Sequence, residues 1–169
     1  GEWIQGMRAV DVAMIVVSGV SGIKAGTERA WEYCNKIKLP RTIFINKLDR
    51  ENANFDNVLD SLNQKFGISV VPIQYPIGKE DDFKGVINVI SERARIYDPD
   101  KKEVKIVDIP EDLKEKVHAC KIMIMESVAE TDEKLLDKYF SEGTLSDEEI
   151  YNGLIKGCAS GDIAPVMCG

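Results

Sequence analysis

Thr42-Ile43-Phe44-Ile45-Asn46-Lys47-Leu48-Asp49 is the stretch that decides how the rest of this chain is read. Its first four residues form an apolar, β-branched run with no polar alternation, the pattern of a strand buried on both faces in a parallel sheet. Its last four turn abruptly polar. In parallel α/β sheets ligands bind just outside the carboxyl ends of the strands, so a polar tetrapeptide at that point marks a candidate site.

Working outward, Val12-Ala13-Met14-Ile15-Val16-Val17 is a second unalternated run, expected to be a strand covered on both faces. A loop with glycines at 19, 22 and 26 follows; the glycines do not spell GxGxxG and read as a flexible connector. Thr27 is expected to cap a helix through Ile37, with Glu28 in its first turn, Lys36 in its last and Pro40 beyond it. Residues 52–55 lead into a second helix, Phe55–Phe66, expected to stop at an αL-type Gly67. Strand, helix, strand, helix in this order implies a parallel sheet built by crossovers.

Beyond Gly67 the pattern changes. Residues 70–75 and 86–90 read as strands, and 93–97 with 104–107 as a hairpin joined through Asp98-Pro99-Asp100-Lys101-Lys102. A long amphipathic helix is expected from Glu111, with Leu113, Val117, Cys120 and Ile124 on one stripe. Thr131 is expected to cap a short helix, and Ser146 with Glu149 matches a capping box. Ala164-Pro165-Val166-Met167-Cys168-Gly169 then returns to the parallel-sheet pattern, so the fold class is α/β with an inserted α+β unit. The expected division is 1–68 as core, 69–161 as insertion and 162–169 as the final core strand. A buried strand stopping at Gly169 suggests a piece of a longer protein.

Charge follows the same division. Residues 1–68 carry 8 acids and 9 bases, net +1, whereas 69–169 carry 21 acids and 13 bases, net −8, within a total of −7 over 169 residues. That balance disfavours a general nucleic-acid coat, and no base-specific nucleic-acid site is seen. No apolar run approaches the ~18–20 residues of a membrane span. The four cysteines lie far apart, form no CxxC pair and accompany a single histidine, His118, so no zinc site of usual spacing can be written. They read as reduced thiols acting as small hydrophobes. Acid clusters at 80–82 and 147–149 read as loop solvation and a helix N-terminus. No catalytic residue and no metal ligand is assigned.

The chemistry of Asn46, Lys47 and Asp49 suits guanine. A carboxylate at Asp49 can accept two hydrogen bonds, from the ring N–H and the exocyclic amino group, which adenine cannot supply in that arrangement. The aliphatic stem of Lys47 can lie across the base, and Asn46 can bond both the base and nearby backbone. An ordinary polar loop is the other reading of these three residues. No GxxxxGK followed by Ser or Thr occurs, so nothing in the chain can cradle β- and γ-phosphates or supply the magnesium-coordinating hydroxyl.

A wider set of residues carries a resemblance. Arg8-Ala9-Val10-Asp11, Ala30-Trp31, Pro40-Arg41, Phe44 to Arg50 with Asn52-Ala53-Asn54-Phe55, Val71-Pro72-Ile73-Gln74, Ile77-Gly78, Phe83-Lys84-Gly85-Val86-Ile87, Asp108-Ile109-Pro110, Glu126-Ser127-Val128-Ala129-Glu130 and Pro165 to Gly169 together resemble the GTPase domain of elongation factor G. The resemblance implies a partial P-loop-type GTPase domain from a protein that binds GTP or GDP, with magnesium held elsewhere in the parent. Asn46, Lys47 and Asp49 would read guanine, and Cys168-Gly169 would open the last nucleotide loop. The phosphate loop, first switch and switch histidine of the family would precede residue 1. Residues 69–161 match the family's G prime insertion, which contacts the acidic ribosomal stalk protein, so ribosome docking and a cytoplasmic location are implied. This piece alone should neither hydrolyse GTP nor bind it tightly. Ribosomal-protection and release-factor GTPases share the guanine motif, and a stand-alone protein-interaction module is the reading from a different class.

Overall fold

The computed structural model describes residues 2–67, 69–98 and 100–169. A short helix α1 (Glu2–Met7) leads to strand β1 (Ala13–Ser18), helix α2 (Ala25–Ile37), strand β2 (Arg41–Asn46) and helix α3 (Phe55–Phe66). Four strands follow close together in the chain: β3 (Val70–Pro72), β4 (Gln74–Ile77), β5 (Gly85–Asn88) and β6 (Arg93–Asp98), then β7 (Glu103–Val107). Three helices, α4 (Lys114–Ala129), α5 (Glu133–Glu142) and α6 (Asp147–Ser160), precede the last strand, β8 (Ala164–Cys168).

The strands form two sheets. One is wholly parallel in the order β1-β2-β8-β3, so the last strand is inserted between two that precede it by many residues. The other is antiparallel, in the order β4-β5-β6-β7. The stretch at 70–75 is therefore divided between both sheets rather than forming one strand. The hinge is Ile73: its N–H donates to the Val166 carbonyl at 3.0 Å, in the parallel sheet, while its own carbonyl accepts from Val89 N–H at 3.1 Å, in the antiparallel one. A short stretch that suits a strand in either sheet does not by itself say where the chain passes from one to the other.

One face of the parallel sheet is fully covered. Ile15, Val17, Ile43 and Ile45 are buried on it against a continuous core that includes Trp31, Cys34, Leu59 and Leu62. The other face of β1 is open: Met14 and Val16 are each 57% exposed, against the expectation of burial on both sides. Hydrophobic pattern registers what a strand is suited to meet, and among the described residues nothing lies over these two side chains. Every residue of β7 is exposed as well, so the hairpin forms the outer edge of the second sheet.

Helix ends show several departures. Thr27 lies inside α2, at its third position, where its hydroxyl accepts from Lys24 N–H at 3.2 Å. Asp132, not Thr131, caps α5 by accepting from the Lys134 and Leu135 amides, while the Thr131 hydroxyl donates to the Val128 carbonyl at 2.7 Å. Gly67 adopts φ 92°, ψ −175°, a conformation outside αL that only glycine tolerates readily. A 3₁₀ turn at Glu111–Leu113 precedes α4 proper. Ser146 and Glu149 do form the capping box of α6, and the cysteines are unpaired.

Polar ties lock the second sheet and α4 to α3. The Tyr75 hydroxyl donates to Asp56 Oδ1 at 2.7 Å and Lys116 Nζ donates to Asp56 Oδ2 at 2.5 Å, with the Tyr75 ring packed edge-on to Phe55. Burial, reinforced by the Asp56 carboxylate, pushes the Tyr75 phenol upward, and the bond to Asp56 does the same for Lys116. On the opposite flank the Arg41 guanidinium lies 3.9 Å from the centre of the Trp31 ring, which itself stacks on Phe66. That contact offsets part of the cost of burying Arg41, whose Nε has no hydrogen-bond partner among the described residues.

Helix α6 is drawn against α4 through Gly153, where an added Cβ would lie 2.3 Å from Val128 Cγ1. Valine has little rotamer freedom in a helix and cannot swing aside. Gly153→Ala is therefore expected to destabilise the fold by about 1–3 kcal/mol despite alanine's better helix propensity. Chemical denaturation of G153A, V128A and the double variant checks this; the double variant should recover at least ~0.5 kcal/mol relative to additivity.

Candidate functional site

Three parallel strands end side by side. In the register, Ser18 faces Asn46 and Ile45 faces Cys168, so the carboxyl ends of β1, β2 and β8 share one edge of the sheet. This is where open α/β sheets place ligands. At that edge the chain leaves β2 through Lys47, a non-glycine residue at φ 68°, and the Asn46 Oδ1 accepts the Lys47 amide at 2.8 Å to hold the turn.

Leu48 anchors the loop. Its side chain is 2% exposed and packs on Gly19, where a Cβ would lie 2.7 Å from Leu48 Cδ2 and 3.3 Å from the Asn46 carbonyl oxygen. Gly19 N–H donates to that same carbonyl at 2.7 Å, and the Gly19 carbonyl accepts from Asn54 N–H at 3.0 Å. The Leu48 amide donates to the Gly169 carbonyl at 3.3 Å, and Gly169 N–H donates to the Ile45 carbonyl at 3.0 Å. With Leu48 turned inward, its neighbours Asn46, Lys47 and Asp49 are exposed. The Asp49 side chain is 63% exposed, stands 3.9 Å from Arg50 Nε, and accepts no hydrogen bond from any described residue. Its acceptor sites are thus open to two donors from a ligand.

All five residues expected at the site, Asn46, Lys47, Asp49, Cys168 and Gly169, lie at this edge. Cys168 faces inward: its side chain is buried, burial pushes the thiol up to about 12, and its backbone N–H donates to Gln74 Oε1 at 3.1 Å. It shapes the site through backbone and packing rather than through a thiolate. At Gly169 a Cβ would meet the Phe44 ring at 2.9 Å, so a bare backbone is what lets the chain cross over that side chain.

Two contributors escape a residue-by-residue reading. The glycine loop after β1 is not a loose connector, since Gly19 is buried beneath the tetrapeptide. The acid cluster at 80–82 is not mere solvation: Glu80 N–H donates to the Leu48 carbonyl at 2.8 Å, and Glu80 Oε1 accepts from Asn52 N–H at 2.8 Å. Gly19's place directly after a strand was the available signal; Glu80 carried none, because its partners lie about thirty residues away.

A groove of about 710 Å³ lies behind the loop, between α3 and the second sheet, lined by Leu48, Asp56, Tyr75, Lys79 and Lys116 among others, but not by Asn46, Lys47 or Asp49. Among the described residues no three His, Cys, Asp or Glu side chains gather as a metal-binding group. No described helix is long and apolar enough to cross a membrane.

Comparison with known proteins agrees with this geometry. The family described as the elongation factor Tu GTP binding domain matches residues 1–169. A crystal structure of a protein from Thermus thermophilus superposes with a TM-score of 0.86 at 29% identity, over 98% of this chain and 25% of that one. The chain therefore spans about a quarter of the solved chain it matches. It belongs to the elongation factor Tu GTP-binding domain family, as part of a domain of the translational GTPase type.

Proposed function

We propose that residues 1–169 are the guanine-reading part of the GTPase domain of an elongation factor G-like protein, which couples GTP hydrolysis to movement on the ribosome in the cytoplasm. The observation that carries this reading is the convergence of the Asn46–Asp49 loop with Cys168-Gly169 at the ends of three adjacent parallel strands. Asp49 accepts from the guanine ring N–H and exocyclic amino group, the Lys47 stem covers the base, and Asn46 holds the turn while facing the ligand. Phosphate and magnesium contacts, and the hydrolytic step, fall to other parts of the full-length protein, since no GxxxxGK motif lies in this chain. Residues 1–68 and 162–169 make the nucleotide-reading unit, and 69–161 form the insertion, whose first strand joins the parallel sheet beside β8.

The test is selectivity. The full-length protein should bind GDP far more tightly than ADP, and Asp49→Asn should weaken GDP binding at least ~10-fold, as expected for losing hydrogen bonds to a charged acceptor. The same variant should gain relative affinity for xanthosine diphosphate, because an amide N–H can donate to the carbonyl that xanthine carries in place of the amino group. Equal affinities for GDP and ADP in isothermal titration would overturn the reading. Micromolar GDP binding by the 1–169 chain alone would contradict the assignment of phosphate contacts elsewhere.

The insertion is further proposed to dock on the acidic ribosomal stalk protein. Residues 69–161 carry 20 acids and 13 bases, net −7, so the insertion can hold an acidic partner only through a local basic or apolar patch, and α5 with α6 offers a basic one. Lys134 and Lys156 are exposed around a groove of about 380 Å³ between these two helices. Reversing both charges in K134E/K156E should weaken binding to the purified stalk protein by about tenfold or more at low salt, with less effect at high salt, where such contacts are screened. Unchanged binding would remove this surface from the reading.

A further inference from the structure

Glu80 sits in the 3₁₀ turn Glu80–Asp82 that joins β4 to β5, and it holds φ 53°, a left-handed conformation unfavourable for a side-chain-bearing residue. Two hydrogen bonds keep it there, and both go to the loop that carries Asp49. Its backbone N–H donates to the Leu48 carbonyl, and its carboxylate accepts the Asn52 amide, each at 2.8 Å. The Leu48 carbonyl belongs to the peptide plane that immediately precedes Asp49. Asn52 lies three residues beyond, itself at φ 65°. Asp49 is thus strung between two attachments to one residue of the second sheet.

The alternatives within the loop are weak. Arg50 N–H donates to the Lys47 carbonyl at 3.2 Å and Ala53 N–H to the Arg50 carbonyl at 3.1 Å, which tighten the turns but do not fix their orientation against the sheet. Leu48 N–H is held by Gly169 and its side chain by Gly19, which secures the loop's start. Gly19 ties the two ends of the loop, at Asn46 and Asn54, whereas Glu80 holds the positions nearest Asp49, at Leu48 and Asn52.

We infer that Glu80 is a positioning residue for guanine recognition, setting the direction of the Asp49 carboxylate from the second sheet. This rests on the guanine reading above. It implies that discrimination at the base depends on a turn belonging to the insertion as well as on the nucleotide loop itself. Asp81 and Asp82 beside it do not share this role.

Binding of GDP, inosine diphosphate and ADP to the full-length protein tests it, using wild type, E80A, E80Q and E80D. Inosine lacks the exocyclic amino group, so the GDP-to-inosine diphosphate ratio reads the aim of the Asp49 carboxylate. E80A should lose about tenfold in GDP affinity, the size of one hydrogen bond to a charged group, and the ratio should shrink. E80Q, whose amide oxygen can still accept from Asn52, should restore both to within about twofold of wild type. Should E80A not fold, E80D carries the test, because its shorter side chain withdraws from Asn52 and aspartate tolerates the left-handed backbone. A ratio unchanged in E80A or E80D, or an E80Q as impaired as E80A, overturns the inference. Wild type without preference for GDP over ADP would instead overturn the guanine reading, and the inference with it.

Discussion

Everything in this structure depends on the hydrogen bonding of β8 between β2 and β3. Parallel neighbours cannot be joined by a tight turn, so each pairing obliges the chain to leave the sheet and return. Here β2 and β8 are direct neighbours in the sheet, although β3, the whole second sheet and the four helices α3 to α6 intervene between them in sequence. That long excursion is tolerated because closure entropy grows only slowly with length, and because β3 is already in place to receive the far side of β8. The return of β8 brings Gly169 over the Leu48 amide and Val166 onto Ile73, so one strand completes both the edge that carries the candidate site and the departure point of the second sheet.

The loop after β2 is an unfavourable piece of backbone made rigid by its surroundings. Lys47 and Asn52 both hold positive φ, as does Glu80 facing them. Left-handed residues of this kind cost on the order of 1–3 kcal/mol each and persist where neighbours determine them. Each has an identified restraint: the Asn46 side chain for the Lys47 amide, the Glu80 carboxylate for Asn52, and the Leu48 carbonyl for Glu80. A carboxylate that must meet two donors at once benefits from this rigidity, because less freedom is lost when the ligand arrives.

The sequence displayed much of this, for physical reasons that also mark where it stopped. Residues 13–17 and 42–45 became strands of a parallel sheet, because β-branched runs bounded by loop residues suit little else. Ser146 and Glu149 formed their capping box, because that motif is satisfied within four residues. Asn46, Lys47 and Asp49 stood out as a candidate site because residue type and position at a strand end agreed, and the structure does set them exposed at that edge. What could not be seen were choices made by distant partners. The stretch at 70–75 suits a strand in either sheet, so its division at Ile73 was silent. Thr131 and Asp132 are both good caps, and only the geometry of the preceding turn selects Asp132. Met14 and Val16 have the composition of buried residues and are exposed all the same.

The exposure of Asp49 is itself part of how such a site discriminates. An acceptor-only group that stays hydrated in the free protein costs little while the site is empty. On binding, water is displaced and must be replaced by donors in the same directions. Guanine presents two N–H donors on one edge, whereas adenine places a ring nitrogen lone pair where the first donor should be, leaving the carboxylate dehydrated and facing another acceptor. Sites built on hydrogen bonding reject a ligand lacking the partner far more strongly than apolar pockets reject a wrong size. That penalty holds only if the carboxylate cannot turn back to solvent. On the proposed guanine reading, the bonds from Gly169, Gly19 and Glu80 to the loop therefore belong to the selectivity as much as Asp49 does.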